Sequence, residues 1–377
     1  AQVAVLVALG VSGTADADLA TGLAWGVVAG GVLQFLVQVP SVRAVGRGIR
    51  VSLDAGRASV REVGRRFVPV LVGRGVVQLV GYVDLVLASL LAAGAVSAFT
   101  YAQVLYLLPI SLFGISVAAA ELPELSRLYT GATSQGRDRL VAGLDRIAFY
   151  VAPVQALYLA AGGVVVGALL QRGDFSADDT RLVWFVLAGS SLALLATTAS
   201  RLLQSSLYAL GDRRTPAAVA AVRVALSTLL GVGLMFQLDR VVLEPGTTTL
   251  EVEGELPAPL EPLPRSVRTD EDQPLRLGAV GLTVAASAGA WLELGLLERA
   301  LRRRGLGRLP VGGPHRTAVV GAALGAAAVA VALRWTVAGD LAPLAAAVVV
   351  LGPAALTYLG TTVAAGVPEA RRLVRRA

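Results

Sequence analysis

The sequence predicts an all-α, polytopic transmembrane helix bundle of about nine full spans and one partial span. Three observations predict it. The 377 residues are 55% hydrophobic, with mean hydropathy +0.69 and only 16% charged residues. A soluble fold of this length needs more charge to cover its surface. Long runs carry no charge at all: neither Leu85–Ala120 nor Ile147–Leu170 contains Asp, Glu, Arg or Lys. Roughly 20 apolar residues carry a helix across the hydrocarbon core, and in lipid such a segment must satisfy its backbone internally. The alternating pattern of a membrane β-barrel is absent. Finally, the connecting loops alternate between Arg-rich and Arg-poor, as successive crossings demand.

In chain order, Ala1–Val11 reads as the end of a helix. Full spans follow at Leu19–Val39, Phe67–Ala93, Ser97–Ala120, Ile147–Leu170, Leu182–Leu210, Ala217–Leu238, Leu277–Leu297, Ala318–Val337 and Leu341–Ala365. The Arg-rich loops are Ser41–Arg66, Ser126–Arg146, Gly211–Thr215, Arg299–Arg316 and Arg371–Arg376. Ser12–Asp18, Ala92–Gly94, Asp174–Asp179, Asp239–Gln273 and Gly339–Asp340 form the other set. The Arg-rich set is expected in the cytoplasm, with the C-terminus. Ser41–Arg66 spaces Val42, Val45, Ile49, Val51 and Leu53 among arginines, so an amphipathic surface helix is expected there. Asp239–Gln273 holds five prolines and nine acidic residues. Too poor in apolar residues to fold alone, it is expected to be a mobile external loop. The chain begins at Ala1 inside an apolar run and its single Met is Met235, so a preceding segment is expected.

Several function classes are excluded. With no Cys and one histidine, His315, thiolate and paired-His metal sites are not expected. Neither a P-loop nor a nucleophile elbow is present. The chain is therefore not expected to be an enzyme or to need a cofactor, and any transport must draw on a gradient or potential. The net charge of +7 is carried by Arg alone. It belongs to the loops and does not indicate nucleic acid.

Charge inside a span is costly and marks candidate functional positions. Asp84 sits about 15 Å below the outer end of its span at 1.5 Å per residue, too deep for a short carboxylate to reach water. Arg74 lies on the same helix, with Gln78 one turn on and on the same face. Arg74 and Asp84 are placed to flank one cavity without touching. Arg201 lies about 13 Å inside its span and is expected to face a cavity. Arg223 and Arg334 lie nearer span ends and are expected to snorkel. Glu121 and Glu124 are expected at the interface, and Glu293 and Glu298 beside the run Arg299–Arg304. Pro109 is expected to kink or break its helix, as in the broken helices of transporters. Tyr101 and Gln103 are further cavity candidates, while Tyr106 and Trp291 read equally well as packing residues. Gly321, Ala322, Gly325 and Ala326 are expected to let the last helices pack closely.

Four stretches carry a family resemblance: PVLVGRGVVQLVGYVDLVLASLL from Pro69, GAVSAFTYAQVLYLLPISLFGISVAAAELPELSR from Gly94, LLQRGDFSADDT from Leu169, and SRLLQSSLYALGDRRTP from Ser200. Together they resemble the seventh and eighth helices, the loop after the ninth, and the end of the tenth helix of MurJ/MviN lipid II flippases. The resemblance covers nearly the whole chain as the end of the fifth helix through the fourteenth. It implies a MATE-like MOP transporter fold and multi-pass placement in a bacterial cytoplasmic membrane. It also implies alternating access between two lobes, which moves lipid II or a related polyprenyl-diphosphate lipid from inner to outer leaflet. Membrane lipids are the other implied contact, and no protein partner is implied.

On this resemblance residues 1–39 end the first lobe, 40–66 form the linker, and 67–297 form a six-helix second lobe that includes the external loop 239–275. Residues 298–377 add a basic loop, two helices and a basic tail. The family's eighth helix usually carries an Arg where this sequence has Val104, and Arg74 is the expected compensation. Most of the first lobe is absent, so the chain is not expected to transport by itself. An exporter of another lipid-linked oligosaccharide, a MATE-like antiporter and a non-transporting membrane scaffold are the alternatives.

Overall fold

A computed structural model describes residues 16–45, 82–115, 117, 121, 133–244, 249–270, 273–307, 309, 313–337, 339 and 341–374. The chain divides into two compact units, Ala1–Arg74 and Gly75–Ala377. The first unit contains helix α1 (Asp16–Val45), which runs through Pro40. Large apolar side chains such as Trp25, Phe35 and Val37 stand exposed along it, a surface suited to lipid rather than water. Because α1 continues to Val45, the start of the expected linker is helical. Residues 46–66, like Ala1–Val11, Arg74, Gln78 and Glu124, lie outside the described residues.

The second unit begins with a helical segment over 82–88 and a turn through Gly94. Then come α2 (Ala95–Pro109), α3 (Thr133–Leu170), α4 (Ala177–Ser191), α5 (Leu194–Ala209) and α6 (Arg214–Leu238). A two-stranded sheet, β1 (Val241–Leu243) and β2 (Leu250–Val252), and a single turn α7 (Arg265–Arg268) precede α8 (Gly278–Leu301), α9 (Pro314–Thr336), α10 (Pro343–Ala364) and α11 (Pro368–Val374). The α-helical ladder of α2 ends at Pro109 and continues as π-helical turns over Ile110–Ile115.

Seven helices are long and apolar enough to cross a membrane, and the bent pair α4–α5, taken as one span, would be an eighth. These eight coincide with eight of the nine full spans read from the sequence. The ninth, Phe67–Ala93, lies mostly outside the described residues. The all-α membrane bundle is therefore the architecture found.

Three local expectations change. Leu182–Leu210 is not one helix: α4 and α5 meet at a 41° bend. The hydroxyls of Ser190 and Ser191 bond back to the Val186 and Leu187 carbonyls, which favours bending. The backbone groups the bend frees are met by side chains from elsewhere. Gln155 Oε1 accepts from the Leu195 N–H at 3.0 Å, and Trp291 Nε1 donates to the Leu192 carbonyl at 2.9 Å. Ser287 Oγ donates to the Gly189 carbonyl at 2.7 Å. In a membrane such groups must find protein partners.

The segment after α6, expected to be a mobile external loop, is likewise not structureless. β1 and β2 pair antiparallel, with Val241 opposite Val252. Arg276, buried, donates to Glu253 at 2.6 Å and to the Asp239 carbonyl at 3.1 Å. The Gln237 amide clamps Ala258 through both its oxygen and its nitrogen, each at 2.7 Å. Burial pushes the Asp239 carboxyl above its ordinary range, against the pull of the Ala92 N–H and of Arg276.

The third change concerns the last helices. α9 and α10 pack on each other and on α3, around a core separate from the main one. The contact is made by Ala322, Ala323, Ala326 and Ala330. Gly321 and Gly325 instead have open space at their Cβ positions. Close glycine contact occurs at α6–α8: a Cβ on Gly281 would lie 2.7 Å from the backbone of Leu234 and Met235.

Candidate functional site

The helical segment 82–88, α2, α5, α6 and α8 bring polar side chains together at membrane depth. Arg201, Arg223 and Glu293 each lie about 12–13 Å from the same end of their helices at 1.5 Å per residue. Glu293 is only 2% exposed. Arg223 Nη1 donates to its Oε2 at 2.6 Å, and Gln204 Nε2 donates to its Oε1 at 2.7 Å. A buried carboxylate needs both a countercharge and hydrogen bonds, and this one has both. The two donors come from different helices, so the pair ties α5 and α6 to α8.

Above this level, Tyr106 on α2 and Thr197 on α5 share a hydrogen bond of 2.9 Å. Tyr106 and the Arg223–Glu293–Gln204 cluster both meet α5, at Thr197 and Gln204, and Arg201 and the half-buried Asp84 are the further charges on these helices. Two buried hydroxyls on these helices, Ser200 and Ser227, have no protein hydrogen-bond partner. Arg201 itself is exposed and, among the described residues, has no ion-pair partner, at the same distance from its helix end as the Arg223–Glu293 pair.

The sequence candidates are distributed as follows. Asp84 and Arg201 lie on these helices. Gln103 is half-buried on α2. Pro109 marks the change from α to π turns. Tyr101 lines an external pocket of about 470 Å³ with Arg172, Asp174 and Phe175, its ring edge-on to Phe175 at 5.6 Å. Val104 stands 58% exposed on α2, beside the exposed Leu107 and Leu108. The open face of α2 thus offers no cation, and those of the site come from α5 and α6.

Three charge assignments are corrected. Arg223 does not snorkel but pairs with Glu293. Glu293 is paired there and not with the run Arg299–Arg304. Glu121 is buried, held by Arg139 at 2.5 Å and Arg146 at 3.2 Å. Arg334, in the last turn of α9 as expected of a snorkelling residue, stacks on Trp184, its guanidinium carbon 4.3 Å from the ring centroid. Sequence reasoning missed Gln204 and Thr197, which carry no charge, and left Tyr106 as packing. Spacing alone held the available signal. Thr197, Arg201 and Gln204 follow at intervals of four and three, one face of a helix.

Within the second unit, ion pairs join three of the Arg-rich connections at one end of the helices. Arg304 pairs with Asp212, and Arg316 meets Asp145 at 2.6 Å. Hydrogen bonds from Thr215 hold the Asp212 carboxyl below its ordinary range, helped by Arg304. Among the described residues no group of acidic, His or Cys side chains is arranged to hold a metal ion.

A family model described as "Lipid II flippase MurJ" matches residues 1–250. Among curated proteins, the "Lipid II flippase MurJ" of Burkholderia cenocepacia is 30% identical over 289 residues, which is 75% of this chain and 48% of that protein. The "Probable lipid II flippase MurJ" of Vibrio cholerae is 27% identical over 286 residues, or 76% of this chain and 47% of that one. The chain thus spans about half the length of these relatives. A solved structure titled "Lipid II flippase MurJ, inward closed conformation" superposes with a TM-score of 0.65 at 15% identity. It covers 94% of this chain and 62% of that one, a likeness of fold.

Proposed function

This chain belongs to the lipid II flippase MurJ family, and we propose that it supplies the second lobe of a carrier for a polyprenyl-diphosphate-linked sugar–peptide. The proposed cargo is lipid II, moved from the inner to the outer leaflet of a bacterial cytoplasmic membrane by alternating access. The Arg-rich end, with the C-terminus, faces the cytoplasm in this reading. One observation carries it. An exposed Arg201 and an Arg223 paired with the buried Glu293 lie about 12–13 Å from the same end of their membrane-type helices, which supports this reading.

The chemistry suits a diphosphate. Guanidinium groups bind phosphate oxygens through charge-assisted hydrogen bonds. Arg201 is free to engage them, and Arg223 is held within reach by Glu293. As the anion leaves, Arg223 remains neutralised by Glu293, so the empty carrier does not strand a bare cation in lipid. Outward movement of the anionic headgroup is favoured by an inside-negative potential, by about 2.3 kcal/mol per charge per 100 mV.

Val104 favours a second reading. Without a cation on the open face of α2, the cargo is another lipid-linked oligosaccharide with fewer phosphate contacts. One experiment separates the two. The full-length parent protein is expressed in cells depleted of their own lipid II flippase, and lipid II exposed on the outer leaflet is quantified. Wild type restores exposure on the first reading, and Arg201→Ala lowers it by about tenfold. Wild-type protein that inserts normally but restores nothing overturns lipid II as the cargo. Full restoration by Arg201→Ala removes Arg201 from the headgroup site.

A further inference from the structure

A second polar pocket, of about 320 Å³, is lined by α3, α4, α9 and α10. None of the helices α2, α5, α6 and α8 that build the candidate site contributes to it. Its construction begins with a defect in α3. Ala161 leaves helical geometry, with φ −138° and ψ 23°. The Tyr158 carbonyl accepts instead from Trp184 Nε1 at 3.0 Å. Gly162 and Gly163 leave room for the indole: a Cβ on Gly162 would lie 2.6 Å from its Cδ1, and one on Gly163 3.4 Å from its ring. The indole is thereby fixed against α3 as a platform.

Arg334 occupies that platform. Stacking satisfies the face of a guanidinium but leaves its five N–H donors, which lie in the plane, unused. Among the described residues none accepts a hydrogen bond from Arg334. Arg181, one turn before Trp184 on α4, lines the same pocket, and its charge acts on Arg334. Arg181 also pairs with Asp178, so the cation committed to the pocket is Arg334. Holding two guanidiniums together in a half-enclosed site is unfavourable unless an anion sits between them. Thr180 and Gln171 add neutral polar groups to the wall.

The surroundings select the anion's source. Trp335, next to the stacked arginine, is 77% exposed, and Leu344 is also exposed. An aromatic and an aliphatic side chain bared beside a cation at a helix end suit the bilayer interface, where headgroup meets acyl chain. We propose that this pocket binds the phosphate of an anionic phospholipid. Arg334 is the main phosphate contact, Trp184 its platform, and Trp335 and Leu344 rest against the acyl chains. That the lipid belongs to the outer leaflet rests on the orientation proposed above. The site itself is independent of what the carrier moves.

The test reads lipid retention rather than transport, so failure here leaves the flippase reading standing. The full-length protein, delipidated in detergent, is titrated with phosphatidylglycerol or phosphatidylcholine, and bound lipid is counted by native mass spectrometry. Wild type is expected to retain phosphatidylglycerol about tenfold better than Arg334→Gln, with Arg334→Lys intermediate and no such dependence for phosphatidylcholine. Glycerol 3-phosphate at equal concentration is expected not to displace the lipid. Equal retention by a stably folded Arg334→Gln, or the same Arg334 dependence for phosphatidylcholine, overturns the proposal. Displacement by glycerol 3-phosphate overturns the lipid as source in favour of a soluble phosphate. If Arg334→Gln does not fold, the unaltered protein still decides. Brominated phosphatidylglycerol should quench tryptophan fluorescence more than brominated phosphatidylcholine, and equal quenching overturns the site.

Discussion

Two helix contacts in the same unit solve the problem of association in lipid differently. α6 and α8 approach backbone to backbone, through Gly281 against Leu234 and Met235 and through Gly289 against the Arg223 carbonyl. They enclose a charged pair, Arg223 and Glu293. α9 and α10 meet α3 through buried alanines, with aromatic support from Phe149 and Tyr358, and carry their one stacked cation at the rim. Small residues serve both contacts, because lipid supplies no hydrophobic drive between helices. What differs is the interior. An alanine seam holds helices together and does nothing else. A charged pair is a poor way to gain stability, so its retention at α6–α8 points to use.

The sharpest break of this comparison is at Glu293. Glu293→Ala leaves the part-buried Arg223 and the Gln204 amide without their shared acceptor, at a cost of about 2–3 kcal/mol. The double change Arg223→Met with Glu293→Leu is expected to recover most of that stability while transport stays lost. Thermal melting of the purified protein, alongside lipid II exposure in depleted cells, checks both halves. Transport surviving in the double variant would reduce the pair to a structural staple, no different in kind from the alanine seam.

Glycines give an effect of similar size. A side chain at Gly281 must push α6 and α8 apart, and Gly281→Val is expected to cost about 3 kcal/mol. Gly325→Val on α9 faces open space and should leave the melting temperature within about a degree, as for exposed sites without special contacts. Similar losses at both positions would mean that the exposed face of α9 is covered in the membrane.

How much of this was legible beforehand depends on the range of the interaction. Spans follow from composition within single segments, and eight of the nine full ones coincide with helices among the described residues. Asp84 and Arg201 were found because charge in an apolar run is visible locally. The partnership of Arg223 with Glu293 was not, since 70 residues separate them, Arg223 alone reads as snorkelling, and Glu293 alone reads as a neighbour of the run Arg299–Arg304. Gln204 and Thr197 carry no charge to mark them. The α4–α5 bend was hidden for the same reason: Ser190 and Ser191 look unremarkable in an apolar run, and the groups that stabilise the bend, Gln155 and Trp291, come from other helices. After α6 the low apolar content hid a structured segment, because its anchors Gln237 and Arg276 stand at its two edges.

The bend supplies a third, smaller test. Gln155→Leu removes the acceptor for the Leu195 N–H, and Trp291→Phe removes the donor to the Leu192 carbonyl. Each is expected to cost about 1–3 kcal/mol, read as a lower melting temperature. If the bend also flexes during transport, these variants should slow lipid II exposure more than the melting loss explains. An equal loss in both readouts would make the bend a static feature, like the alanine seam.

Asp239 gives the smallest effect, and its sign is opposite to that of the charged pair. Glu293 is buried with a cation and an amide donating to it, whereas Asp239 has only the long Ala92 N–H at 3.5 Å on one oxygen and no protein partner on the other. Burial pushes the Asp239 carboxyl upward. A carboxyl raised in the folded state contributes stability that is present below its ordinary range and lost as pH rises through its folded value. Asp239→Asn should therefore change little in acid, where the native group is already neutral, and should leave the melting temperature equal or higher at neutral pH. Melts of wild type and variant across that range measure the difference directly. A variant less stable than wild type at neutral pH, and equal to it in acid, would show that the Asp239 carboxylate is used as a charge, which would set it beside Glu293 rather than against it.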